Sequence, residues 1–145
     1  RLATSEGEIP GAYCYENADG ERFLVYAFDA CATQNAPGAF RSYCRQRQLI
    51  DAIAWLARRP LDAVCPGHPD LYILVKKDEN SLAVGLWNFF ADTIEAPRLF
   101  LADDYAEAEI INGGSMGCTL AGRQLTLHGN IMPYAFMGIQ LRRPR

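Results

Sequence analysis

Residues Leu71 to Ile94 read LYILVKKDENSLAVGLWNFFADTI, and the interpretation of this stretch decides the fold. Leu71 to Val75 are apolar and strand-favouring, Leu82 to Phe90 repeat that character, and Asp78-Glu79-Asn80 between them supply a tight polar turn. The stretch reads as a β-hairpin. Apolar residues fall on both faces of both strands: Leu71, Ile73 and Val75 against Tyr72 and Leu74, then Val84 and Leu86 against Ala83, Trp87 and Phe89. Neither face is expected to be solvated, so the hairpin belongs inside a layered domain.

Downstream the same period continues. Pro97 to Leu101 is a short strand candidate, and Tyr105 to Asn112 alternates Ala106, Ala108 and Ile110 with Glu107 and Glu109, as a strand with one wet face does. Thr119-Leu120 and Gln124 to Leu127 flank Ala121-Gly122-Arg123 as a further hairpin. Tyr134 to Leu141 closes the chain, with Ala135, Met137, Ile139 and Leu141 on one face and Tyr134, Phe136 and Gln140 on the other. Short strands separated by turn residues at regular intervals predict an antiparallel β-sandwich.

Upstream the pattern differs. Gly11 to Glu16 and Glu21 to Phe28 are strand-like around the turn Asn17-Ala18-Asp19-Gly20, and Asp29 to Gly38 is loop-like. Phe40 to Arg59 carries the helical period, with Tyr43, Gln46, Ile50, Ile53 and Leu56 or Ala57 near one face and Leu49 beside it. Pro60 is expected to end that helix. Leu61 to Asp70, with Pro66, Gly67 and Pro69, reads as a connector. The predicted fold class is therefore α+β, mainly β: an antiparallel β-sandwich over residues 63–145, preceded over 1–62 by a β-hairpin and one amphipathic helix.

A chain of 145 residues can bury one ordinary core, and half of its residues are hydrophobic against 21% charged, which places it among folded proteins. A net charge of -3 offers no long-range attraction for phosphate backbones, so no nucleic-acid partner is expected; Arg142, Arg143 and Arg145 read as a solvated tail. No apolar run is long enough for a membrane-spanning helix, and no membrane partner is expected. The chain starts at Arg1 without a signal-peptide pattern, which suggests a piece of a longer protein. Five cysteines, an odd number at unrelated spacings, fit reduced thiols and favour a cytoplasmic setting.

The residue types that could carry chemistry form incomplete sets. Gly113-Gly114-Ser115-Met116-Gly117 fits the G-x-S-x-G pattern of a nucleophile elbow, and His128 follows, yet no Asp or Glu occurs after Glu109, so the Ser, acid, His order cannot be completed. Cys65 and His68 lie close enough to share a metal, but a structural zinc needs two such pairs. His68 beside Asp70 is an acid-base spacing, with Asp70 read instead as capping a turn. Glu107 and Glu109 alternate with alanines as a solvated face rather than facing each other across a sugar bond. No catalytic residue, metal or cofactor is assigned. Tyr72, Trp87, Tyr134 and Phe136 have flat rings that can stack on a pyranose or pack between domains.

Two stretches carry a family resemblance. DLYILVKKDENSLAVGLWNFFADTI (70–94), with IMPYAFMGIQL (131–141) at the end, resembles the C-terminal β-sandwich of bacterial glycoside hydrolases and their relatives, in which a proline, aromatic, small, aromatic strand closes the sheet. YENADGERFLVYAFDA (15–30), RQRQLIDAIAWL (45–56) and RRPLDAV (58–64) are similar to the tail of the glutamine-amidotransferase-like domain that precedes such a sandwich in multidomain β-galactosidase-like proteins. The resemblance implies a non-catalytic accessory part that braces or positions the preceding catalytic domain of its parent chain. Tyr72, Trp87, Asn88 and Tyr134 are then the candidate contacts, to that domain or to carbohydrate. The alternatives are a carbohydrate-binding module with its own glycan ligand and, behind it, a small serine hydrolase using Ser115 and His128.

Overall fold

The computed structural model describes residues 2–4, 7–9, 11–27 and 41–144, which fall into two compact units, Arg1–Pro60 and Leu61–Arg145. The loop expected over Asp29–Gly38 lies outside the described residues. Nearly half of the described residues are in antiparallel strands and among them there is one helix, so the fold is mainly-β α+β.

In the first unit, β1 (Leu2–Thr4) pairs with β2 (Gly7–Ile9), two short strands in a segment that carries no strand signal in its residues. β3 (Ala12–Glu16) pairs with β4 (Arg22–Tyr26) in the expected hairpin. Its turn is built by Asn17, whose side-chain oxygen accepts the backbone N–H groups of Asp19 and Glu21 at 3.0 and 2.8 Å. The helix α1 (Tyr43–Ala57) starts at Ser42, whose hydroxyl accepts from the Arg45 N–H. It ends before the proline. Arg58 adopts the left-handed conformation (φ 56°) and closes the last turn, leaving Pro60 outside the helix. The helix also sits rotated from the expected face: Ala52 is its buried residue, while Tyr43 and Ile53 are exposed. A cation clips helix to hairpin, because the Arg22 guanidinium lies 4.8 Å from the Trp55 ring centre while bonding the Trp55 carbonyl and the Glu16 carboxylate.

The second unit is a β-sandwich. Its strands are β5 (Ala63–Val64), β6 (Leu71–Lys77), β7 (Ser81–Asn88), β8 (Ile94–Glu95), β9 (Arg98–Leu101), β10 (Glu107–Ile110), β11 (Gly117–Ala121), β12 (Gln124–His128), β13 (Asn130–Ile131) and β14 (Phe136–Arg142). One four-stranded sheet has the order β10-β14-β7-β6, the other β11-β12-β9-β5, and β13-β8 form a short ribbon. Every pairing is antiparallel.

Alternation dictates which side chains meet between the sheets. Leu82, Val84 and Leu86 of β7 and Met137, Ile139 and Leu141 of β14 point inward and are buried, as are Leu99 and Leu101 of β9 and Leu125 and Leu127 of β12. Together with Ile94, Tyr105 and Ile131 they make one continuous core. At about 25 cal/mol per Å² of apolar surface, each buried leucine stabilises the sandwich by about 2 kcal/mol relative to exposure. β5 lies in the stretch read as a connector, where two paired residues are too few to show a period.

One expectation is corrected here. The sequence pattern predicts that the hairpin β6–β7 is covered on both faces, but only the face carrying Leu82, Val84 and Leu86 is; Tyr72, Leu74 and Trp87 on the other face are exposed. The second sheet packs against one side only, and β6 is an edge strand rather than an interior one.

Asn88 is the one fully buried polar side chain in the described core. Its amide nitrogen donates to the carbonyls of Asp92, Ile131 and Met132 at 2.7, 3.1 and 3.1 Å, and its oxygen accepts the Phe90 N–H at 3.0 Å. Those bonds pin the 89–93 loop to the segment ahead of β14. Removing the amide strands buried backbone groups, so Asn88→Ala is expected to lower unfolding free energy by about 2–3 kcal/mol. The near-isosteric Asn88→Asp is expected to be at least as harmful, since it sets a carboxylate against three carbonyl oxygens. Urea titration of the parent and the two variants checks this; an Asn88→Asp protein as stable as the parent would contradict the assigned amide.

Candidate functional site

The exposed side of the β10-β14-β7-β6 sheet is where the candidate residues gather. Cross-strand register aligns Tyr72, Trp87 and Phe136 in one row and Leu74, Gly85 and Gly138 in the next. Lys76, Ala83, Gln140 and Glu109 follow in a third. The face is therefore graded, aromatic at one end and charged at the other.

The aromatic row is packed on itself. Trp87 stacks on Phe89 with ring centres 4.8 Å apart and planes at 19°, while Phe136 meets Trp87 edge-on at 5.7 Å and Tyr72 meets Phe89 edge-on at 5.7 Å. All four remain substantially exposed: Tyr72 52%, Trp87 38%, Phe89 54% and Phe136 45%. Phe89 covers one face of the Trp87 indole, so the rings form a ridged cluster and not a plane.

The glycines of the second row leave a trough beside that cluster. A Cβ on Gly85 would stand 2.9 Å from the Phe136 ring, so the ring lies over the glycine backbone and no larger residue fits there without moving it. The resulting groove, about 510 Å³, is lined mainly by apolar atoms of Leu74, Gly85, Ile111, Phe136 and Gly138. Its polar neighbours are Lys76 and Asn112, and Asn112 is already engaged, accepting the Gly138 N–H and donating to the Phe136 carbonyl.

Of the candidates read from the sequence, Tyr72 and Trp87 lie together in this row, and Tyr134 is 67% exposed in the turn before β14, held at φ 59°. Asn88 points the opposite way, and its amide is consumed inside the sandwich. Phe89 completes the cluster, and the period-2 alternation that puts it beside Trp87 is its signal in the sequence.

The chemical candidates do not converge. The Gly113–Gly117 segment joins β10 to β11, strand to strand, so it lacks the helix that an elbow requires. His128 bonds Thr119 rather than Ser115, its Nε2 lying 2.6 Å from the Thr119 hydroxyl. Cys65 is buried, and desolvation pushes its thiol up to about 11, which keeps it protonated and a poor metal ligand at neutral pH. Among the described residues no group of three His, Cys, Asp or Glu side chains is placed to hold a metal ion. Glu107 and Glu109 are exposed on β10 and face Arg142 at 3.7 and 3.5 Å.

Titratable groups cluster at the charged end of the unit. Lys77 Nζ lies 2.8 Å from carboxylate oxygens of both Asp62 and Asp103, and Arg143 lies 2.7 Å from Asp103. The hydrogen bond from Lys77, then that from Arg143, holds the Asp103 carboxyl below its usual range, and the two aspartates hold the Lys77 ammonium above its own. A depressed carboxyl contributes stability above about pH 4 and loses it as pH falls through the lowered value. Solvent screening of this partly exposed network limits Asp103→Asn to a loss of about 0.5–1 kcal/mol at pH 7. The difference between parent and variant should shrink as pH falls through the lowered value of Asp103, because the parent's own carboxyl then becomes protonated. Denaturant titrations at neutral pH and at successively more acid pH check this, and a gap that does not shrink in acid would show the loss is not electrostatic. No protein-family model, no curated protein and no solved structure matches this chain.

Proposed function

We propose that residues 61–145 form a non-catalytic accessory β-sandwich of a carbohydrate-active protein. The unit braces or positions a glycosidase-like catalytic domain by burying the outer face of β6, β7 and β14 against it. The carrying observation is the exposed cluster of Tyr72, Trp87, Phe89 and Phe136 beside a groove floored by Gly85 and Gly138. An apolar patch of this kind marks a binding surface. Two features favour a protein over a glycan there. The rings lie edge-to-face and stacked on each other, which suits interdigitation with side chains better than the flat contact a pyranose makes. The groove lining is mainly apolar, and Asn112 is already bonded to backbone, whereas a sugar needs several polar groups aimed at its hydroxyls.

A carbohydrate-binding module is the second reading, favoured by the alignment of Tyr72, Trp87 and Phe136 in one cross-strand row and by the exposure of Tyr134. Trp87→Ser separates the two. In the full-length protein that carries the catalytic domain, the substitution is expected to lower the melting temperature of that domain by about 2–4 °C for each kcal/mol of interdomain stabilisation removed, well beyond its effect on the 145-residue chain alone. A glycan array probed with the chain should stay silent. Glycan binding that Trp87→Ser abolishes, with no change in the catalytic domain's melting, would replace the bracing role with sugar recognition.

A further inference from the structure

β6 is an edge strand seven residues long whose strand partner among the described residues is β7 alone. The turn bond from the Asp78 N–H to the Ser81 carbonyl, 3.0 Å, sets the phase of the β6–β7 ladder. Alternation along an antiparallel pair then turns the N–H and C=O groups of Tyr72, Leu74 and Lys76 toward β7 and those of Ile73, Val75 and Lys77 away from it. The Leu71 N–H is spent on the His68 carbonyl. The outward groups are set on a strand whose Tyr72, Leu74 and Val75 side chains are exposed. A long apolar edge of this kind is a template for another strand.

We propose that this edge pairs with β6 of a second copy of the chain, antiparallel and centred on Leu74. The strand is self-complementary in that register. Ile73 faces Val75, hydrogen-bonded through the outward groups, and Leu71 faces Lys77, where the Lys77 N–H is left to donate to the Leu71 carbonyl, while Leu74 meets the other copy's Leu74 on the exposed face. Tyr72 then faces Lys76, which brings an ammonium and its methylene stem over an aromatic ring and keeps the lysines of the two copies apart. A register centred on Lys76 would oppose two ammonium groups, so the lysines that discourage indiscriminate edge pairing also select this one. Beyond the seven residues of the strand Asp70 would meet Asp78, and that repulsion ends the ladder. The product joins two four-stranded sheets across a two-fold axis and runs the apolar second row continuously through both copies.

Light scattering on the chromatographed 145-residue chain, from low micromolar to several hundred micromolar, reads the outcome directly. The parent should be a dimer. Val75→Pro removes an outward N–H without touching the ladder to β7, and Leu74→Lys sets two charges against each other at the axis. Each is expected to raise the dimer dissociation constant at least tenfold while circular dichroism stays unchanged. Leu74→Cys, in a background with Cys14, Cys31 and Cys44 changed to serine, should form a covalent dimer in oxidised glutathione, since residues facing at the axis stand about 4.5 Å apart between Cα atoms. Tyr72→Cys in the same background should not. A chain that stays monomeric at every concentration overturns the proposal, and so does a dimer that survives both substitutions or that Leu74→Cys fails to cross-link.

Discussion

The pairing of β7 with β14 is the interaction on which the rest of the second unit depends. Seven residue pairs join Ser81–Trp87 to Phe136–Arg142 across a long separation in sequence, and the inward members of those pairs are almost wholly removed from water. Leu82 lies opposite Leu141, Val84 opposite Ile139 and Leu86 opposite Met137, so each inward pair presents two apolar side chains to the second sheet at once. β6 and β10 are the strands that flank this pair. Because the pairing is non-local, its loop-closure entropy must be met before the core rewards it.

The same pairing generates the exposed surface. Once Val84 and Ile139 point inward, Gly85 and Gly138 must point outward side by side, and the missing side chains open the trough over which Phe136 folds. Gly85 is therefore determined by the ring above it rather than by a turn. Charged groups are displaced to the other end of the sheet, where Lys77, Asp62, Asp103 and Arg143 tie the end of β6 to the loops before β5 and β10 and to the chain beyond β14. A sheet with one buried side and an outer side divided between aromatic and ionic rows has two different kinds of contact available to it.

Strand-favouring apolar runs around a polar turn make β6 and β7 legible in the sequence, and alternation does the same for β10 and the inward residues of β14, along with the β11–β12 hairpin. What escapes is structure without a period. β5, β8 and β13 have two residues each, and only their partners across the sandwich define them as strands. In α1 the several apolar residues let neighbouring stripes compete, and the helix meets the hairpin through the Arg22–Trp55 contact, which no helical periodicity encodes. The exposure of Tyr72, Leu74 and Trp87 is hidden for a related reason: an apolar residue on each face of a strand states that both faces avoid water, not which one the chain itself covers. The clustering of Tyr72 with Trp87 follows from register alone, whereas the burial of Asn88 depends on carbonyls at Ile131 and Met132, far along the chain.

Asn88 nonetheless bears on the surface from the inside. Trp87, Asn88 and Phe89 alternate out, in and out, so fixing the amide also fixes the directions of the indole before it and the phenyl after it. The carbonyls that Asn88 holds at Ile131 and Met132 belong to the segment leading through Tyr134 to Phe136. Both halves of the aromatic cluster thus hang from one buried side chain. Tyr134 shows the load that this arrangement bears: a bulky residue at φ 59° costs of order 1 kcal/mol and persists only where its surroundings over-determine it. The backbone bonds Ala135 N–H to Met132 and Asn88 N–H to Ala135, at 3.1 and 3.0 Å, provide that constraint on its two sides. Rings set on strands and anchored this way lose little freedom when a partner covers them, which is the condition under which an exposed apolar cluster binds with least entropic loss.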